Sequence, residues 1–199
     1  MNQDEVTAVI VTRGNVDLEP VLESLIFDDV IVWDNSQSRE DQMTYGRFCA
    51  AMVADTSVIY SQDDDIVHSH ENQHAILDAY DESFLTGCMW EEWSAGAYRQ
   101  GIPDGYSDLV FPGSGSISHR ALWAEATLDY LAHHPKDDFF RMWSDTIIGV
   151  LAPTRQLDLR FESLPCSDEG GRMADMEDAV ALKSEAITRA RAIRDLVPA

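Results

Sequence analysis

Two β-branched apolar runs, EVTAVIVT at residues 5–12 and DVIVWD at 29–34, flank a single helical pattern. That arrangement constrains the fold more than any other feature. Runs so continuously apolar read as strands buried on both faces. In the intervening NVDLEPVLESLIF, Leu18, Val21, Leu22, Leu25 and Ile26 fall at i, i+3, i+4, i+7 and i+8, one face of a helix. Strand, helix and strand within about 30 residues form a βαβ unit, whose crossover leaves the two strands parallel.

The alternation continues. A helix is predicted over about 43–54, TSVIYS is a third strand, 71–82 suits a helix and TGCMW (86–90) a strand. The Gly-, Ser- and Pro-rich stretch 94–116 reads as loops plus a short strand at LVF. Helices are predicted at 119–133, 139–152 and about 177–196; in the last, Ala179, Leu182, Ala186, Ile187, Ala190 and Ile193 share a face. Residues 165–175, PCSDEGGRMAD, read as a mobile segment. The expected class is α/β, a single domain over 1–199 with a mainly parallel, Rossmann-like central sheet.

Charge narrows the partners. The net charge of −22 argues against a general nucleic-acid-binding surface, which needs Lys and Arg to displace counterions, although it leaves a local basic groove open. No run approaches the roughly 18 apolar residues of a membrane span. MNQDEVTAVIVT lacks a basic leader region and enters a strand-like run at once, so no signal peptide is expected. Three cysteines, Cys49, Cys88 and Cys166, form no CxxC or zinc pattern, and free thiols suit a cytoplasmic location.

In open α/β sheets ligands bind beyond the C-terminal ends of the strands. Three polar clusters are expected to converge there: Thr12-Arg13-Gly14-Asn15, Asp34-Asn35-Ser36 and Asp63-Asp64-Asp65. Adjacent carboxylates repel by roughly 1 kcal/mol per close pair even in water-like surroundings, so three in a row call for a cation. A hard ion such as Mg²⁺ or Mn²⁺ takes oxygen ligands, commonly one or two carboxylates plus substrate phosphates. An Asp-rich turn or helix cap is the competing explanation, and the position after a third strand favours the metal.

The ordered segments VTAVIVTRGN, VIVWDNS, YGRF and VIYSQDDDI resemble the nucleotide-binding half of GT-A glycosyltransferases, nearest to the exostosin-like group. GSGSISHRALW (113–123) and WSDTIIGVLA (143–152) are similar to that group's small-residue/His segment and its acidic helix start. Gly46 stands where the group has Asn in a triplet, Ser144 where it has Glu, and its C-terminal Cys pattern is absent. The resemblance implies a nucleotide-binding half at 1–65, a sugar and acceptor half at 66–165, and a mobile segment with C-terminal helix at 166–199. It implies a metal-dependent transfer, with Mn²⁺ or Mg²⁺, from a nucleotide-diphosphate sugar (uridine-linked) to a hydroxyl acceptor, with retention of configuration.

Carried onto this sequence, Thr12, Arg13 and Asn15 would line the base and ribose pocket, and Asp34 or Asn35 would meet the base. Arg47 would bond the nucleotide, with Asp64, Gly113, Ser114 and Arg172 as further nucleotide-sugar contacts. Asp65 would be the main metal ligand, helped by Asp63 and His119; Asp63 would also approach the sugar, and Asp145 would face the reacting centre. Structural roles compete at several of these positions. Arg47 can form an ion pair, Asp145 and His119 can serve a helix start, and Gly113 can be an ordinary loop glycine. His68 and His70 follow the acids and are weaker metal candidates. Trp90 and Trp93 suit a core better than a sugar platform.

Three other readings compete with this one. An aspartyl-nucleophile phosphohydrolase wants Asp directly after the first strand, and VIVTRGN has none. A nucleotide-sugar-binding module without turnover would keep the donor intact. A phage-type DNA-modifying enzyme acting on a hydroxymethylated base fits the small size and conflicts with the charge.

Overall fold

β1 (Val6–Thr12) and β2 (Asp29–Asp34) lie parallel, as the crossover requires, with Thr12 opposite Asp34. In the computed structural model, residues 1–88, 109–159, 161–164 and 176–196 are described. β1 is buried along its whole length. β2 is not: it is an edge strand, half-exposed, with Val32 open to solvent, which corrects the expectation of burial on both faces. The connecting helix α1 is short, Glu19–Ser24, opening on Pro20, which is tolerated in a first turn. Leu25 and Ile26 lie past its end and still pack on the core.

β3 (Val58–Asp63) pairs parallel with the other side of β1, setting Asp63 opposite Val11. After the two-residue β4 (Ile66–Val67) come α3 (His70–Asp78), capped by Ser69, and β5 (Leu85–Cys88). The next element departs from expectation. Ser114–His119 is a strand, β6, antiparallel to both β3 and β5, where the serines and glycines read as loop. Ser114, Ser116 and Ser118 are all buried. Small side chains suit this strand because β5 and β6 run tightly together: a Cβ on Gly87 would lie 2.7 Å from that of Ser116. LVF, in contrast, is no strand. It is a buried loop pressed on the following helices, where a Cβ at Gly149 would come within 2.2 Å of the Val110 carbonyl oxygen.

α4 (Arg120–Leu131) and α5 (Asp138–Leu151) precede β7 (Thr154–Leu157), a strand absent from the sequence reading, and the two-residue β8 (Glu162–Ser163) pairs with β4. α2 (Gly46–Val53) and α6 (Ala179–Arg194) complete the described elements. The central six-stranded sheet has the order β2-β1-β3-β6-β5-β7, and only β6 runs against its neighbours. Phe48, Ala51, Trp123 and Ile148 cover one face with Val9 and Ile59; Phe27, Tyr60, Ile76 and Leu77 pack on the other. α5 and α6 close a further cluster around Phe140, Trp143, Ile147 and Ile187. No helix among the described residues is long and apolar enough to cross a membrane.

Candidate functional site

The sheet register brings Thr12, Asp34 and Asp63 to one edge, since Thr12 pairs with Asp34 and the neighbouring Val11 with Asp63. At this edge the chain turns through Gly14, whose φ of +76° suits glycine, and the Gly14 amide donates to Thr12 Oγ1 at 2.9 Å. Asp34 Oδ1 accepts from the amide and hydroxyl of Ser36, at 2.8 and 2.6 Å. Arg13 is exposed, its Nε 3.4 Å from Asp41, and Asn15 is half-buried just beyond the turn.

Asp63 is the most constrained of the three acids. Its backbone amide donates to the Gly113 carbonyl at 2.7 Å. A Cβ on Gly113 would lie 2.4 Å from each Asp63 carboxylate oxygen, so the residue facing this carboxylate has to be glycine. From α2, the fully buried Arg47 donates one guanidinium nitrogen to Ser61 Oγ at 3.1 Å and forms an ion pair with Asp63 through another. Burial opposes the Arg47 charge, and Asp63, then Asp145, outweigh it, so the guanidinium stays protonated. Asp64 is half-buried and accepts a hydrogen bond from Thr12; burial pushes its carboxyl above the ordinary value. Asp65, also half-buried, takes the Leu164 amide on its backbone carbonyl at 2.7 Å.

Asp145 reaches the same region from α5. That helix kinks at Trp143 (φ −111°, ψ 17°), where the Thr44 hydroxyl meets the Ser144 hydroxyl at 2.9 Å and the Met142 carbonyl at 2.9 Å. Asp145 Oδ1 then accepts the Thr146 amide at 2.7 Å; the cap of α5 is Asp137, which accepts the Phe140 amide, so Asp145 sits within the helix and does not cap it. Burial pushes its carboxyl up, and Arg47 and Lys183 pull it down. Lys183, on α6, escaped the sequence reading because one Lys on a charged helix carries no pattern. Its Nζ lies 4.0 Å from the Phe111 ring centroid.

Several expected roles are corrected. Arg47 has no exposed surface and is paired with Asp63. Gly113 and Ser114 are buried, and Gly113 packs closely on the Asp63 carboxylate. Asn35 is buried with its amide committed: Oδ1 accepts from Trp33 Nε1 at 3.1 Å and the Gln42 amide at 3.0 Å, and Nδ2 donates to the Met43 carbonyl at 3.1 Å. His119 pairs with Val58, at the other end of β3 from Asp63, roughly 16 Å away at about 3.3 Å per residue. Its Nδ1 caps α4 by accepting from Ala121, so it is no ligand partner of the acids. His68 is buried with Nε2 on the Ser114 carbonyl at 2.9 Å. Arg172, Trp90 and Trp93 lie outside the described residues.

Among the described residues, no three His, Cys, Asp or Glu side chains form a ready-made metal cage. The donors at Asp63–Asp65 are oxygen only, in keeping with a hard divalent ion that completes its shell with substrate phosphates. The residues present fit Mn²⁺ or Mg²⁺ in that sense.

No family model and no curated protein matches the chain. Among solved structures, it is similar to residues 1–349 of TarS from S. aureus, in complex with UDP-GlcNAc. The TM-score is 0.52 at 12% identity, over 95% of this chain and 70% of that one. The chain has a GT-A-like fold. A second structure, 4-diphosphocytidyl-2C-methyl-D-erythritol synthase from Anaerococcus prevotii, aligns with TM-score 0.45 and 9% identity over 94% of this chain and all of that one (100%). In GT-A-like terms, Thr12, Asp34 and the three acids occupy the C-terminal edge of the parallel strands, where such sheets bind ligands.

Proposed function

We propose that the chain is a glycosyltransferase moving a sugar from a uridine-diphosphate sugar to a hydroxyl acceptor, dependent on Mn²⁺ or Mg²⁺. One observation carries the reading: on a GT-A-like sheet, Asp63 is locked at the strand edge by buried Arg47, with Asp64 and Asp65 beside it. Asp65 and Asp63 would hold the metal, which when bound supplies positive charge to the diphosphate as the sugar–phosphate bond breaks. Thr12, Arg13, Asn15 and Asp34 form the wall for base and ribose. Asp145, buried beside the acids, faces the reacting centre. Arg47 and Gly113 keep the Asp63 carboxylate in one place, so the site meets its ligand preorganised.

The exostosin-like motifs extend the reading to retention of configuration. The acceptor class is open to glycans and small hydroxylated molecules, and the charge of −22 weighs against duplex DNA. Mass spectrometry of products from a panel of nucleotide sugars and acceptors tests the proposal. A sugar-shifted acceptor together with free nucleoside diphosphate supports it. A donor that binds yet stays intact with every acceptor class contradicts turnover and leaves a binding module.

A further inference from the structure

α5 breaks just before Asp145, and the break has a partner outside the helix. At Trp143 the backbone leaves helical geometry (φ −111°, ψ 17°). In an uninterrupted helix the carbonyls of Arg141 and Met142 accept the amides of Asp145 and Thr146, one turn further on. Here the Thr44 hydroxyl lies 3.1 Å from the Arg141 carbonyl oxygen and 2.9 Å from that of Met142, and the Thr146 amide donates to Asp145 Oδ1 at 2.7 Å. A side chain inserted among the backbone hydrogen bonds of a helix is a sufficient cause of a kink. The single Thr44 hydroxyl proton goes to these carbonyls, so its oxygen accepts from the fully buried Ser144 hydroxyl at 2.9 Å. Thr44 is itself held in place. It follows Met43, whose φ of +53° is a left-handed conformation that a methionine adopts only under constraint. The Met43 amide donates to Asp41 Oδ1 at 2.7 Å, and its carbonyl accepts from Asn35 Nδ2 at 3.1 Å. Tyr45, on the other side, packs against Phe140 of α5 with ring centroids 5.3 Å apart. The chain after β2 thus fixes Thr44, and Thr44 fixes the break that leads into Asp145.

We propose that Thr44 is a positioning residue of the transfer reaction: its hydroxyl holds the break in α5 and so sets the Asp145 carboxylate at the reacting centre. This rests on the glycosyltransferase reading for its catalytic meaning, and on the hydrogen bonds to α5 for its geometry. Without the hydroxyl, the Arg141 and Met142 carbonyls lose that donor and Ser144 loses its acceptor. The helix is then free to straighten, closing its own hydrogen bonds and turning Asp145 away. The Thr44 hydroxyl is spent on α5 and touches no donor atom, so its loss acts on turnover rather than on donor affinity.

Amide hydrogen exchange and kinetics on Thr44→Val and Thr44→Ser test it, since valine keeps the volume and serine keeps the hydroxyl. In Thr44→Val the Thr146 amide should exchange faster than in the wild type by at least about fivefold more than the amides of β1 do, and Thr44→Ser should restore its protection. Thr44→Val should lower kcat by about tenfold or more with KM for the nucleotide sugar unchanged, and Thr44→Ser should recover most of the rate. Simple destabilisation speeds exchange at Thr146 and in β1 alike, so equal acceleration overturns the hold on Asp145. Selective exposure of Thr146 with unchanged kcat overturns the positioning role. A raised KM with unchanged kcat also overturns it, because Thr44 then acts on the donor. The exchange measurement stands whether or not the wild type turns over a sugar. Failure of the transferase reading therefore shows in the wild-type assay, and failure of the Thr44 hold shows at the Thr146 amide.

Discussion

Arg47→Met removes the cation that holds Asp63, and the structure sets the size of the effect. Arg47 is fully buried, while the Asp63 side chain keeps 34% of its exposure. Stripping one partner from a buried pair costs about 3–5 kcal/mol, because the other charge is left uncompensated. Partial access of water to Asp63 places the expected loss near the lower end, about 3 kcal/mol. For a chain of this size that is a fall in melting temperature of roughly 6–12 °C. Adding Asp63→Asn removes the stranded carboxylate and should return at least about 1 kcal/mol, so the two substitutions are not additive. Urea and thermal unfolding of the two single variants and the double variant measure this directly. A variant Arg47→Met that melts within about 2 °C of wild type but no longer binds UDP would show instead that Arg47 reaches the ligand and does not hold Asp63.

Asp65→Asn should abolish metal-dependent turnover, because a neutral amide is a poorer ligand for a hard ion; Asp64→Asn, which disturbs the Thr12 hydrogen bond, should mainly lower the melting temperature. Rates beside melting curves for both variants decide it, and the reverse pattern reassigns the acids. Gly113→Ala places a Cβ 2.4 Å from the Asp63 carboxylate, and Mn²⁺-dependent UDP affinity measured by calorimetry should drop by about tenfold or more. Burial holds the His68 pKa below its ordinary 6.5, so as pH falls below about 6.5 the unfolded chain takes up a proton that the folded chain refuses. Stability should therefore decline as pH falls below about 6.5, and His68→Gln should flatten that limb of the urea-unfolding profile.

Much of the fold was legible because buried parallel strands announce themselves. EVTAVIVT and VIYSQDDD carry β-branched runs that read as strands, and the register then places Thr12, Asp34 and Asp63 at one edge. β6 was not legible, since Ser114, Gly115 and Ser116 have loop propensity and become strand residues through pairing with β3 and β5, with His68 filling the space a Gly115 side chain would need and Gly87 facing Ser116. β2 was misjudged for a related reason: its composition matches β1, and only topology puts it at the edge. At the site, sequence order identified the acids but not their partners. The contacts Arg47–Asp63, Gly113–Asp63 and Thr44–Ser144 join residues far apart in the chain, and no local pattern encodes them. His119 shows the opposite error. The resemblance of GSGSISHRALW to a small-residue/His segment drew it toward the acids, and the antiparallel direction of β6 carries it to the other end of β3.

If a metal bridges the Asp63–Asp65 acids and a nucleoside diphosphate, calorimetric titration of UDP reads that bridge. With Mn²⁺ present, UDP should bind saturably, with affinity falling at least about tenfold in excess EDTA, where acids and diphosphate repel. Equal affinity with Mn²⁺ and with EDTA would contradict it.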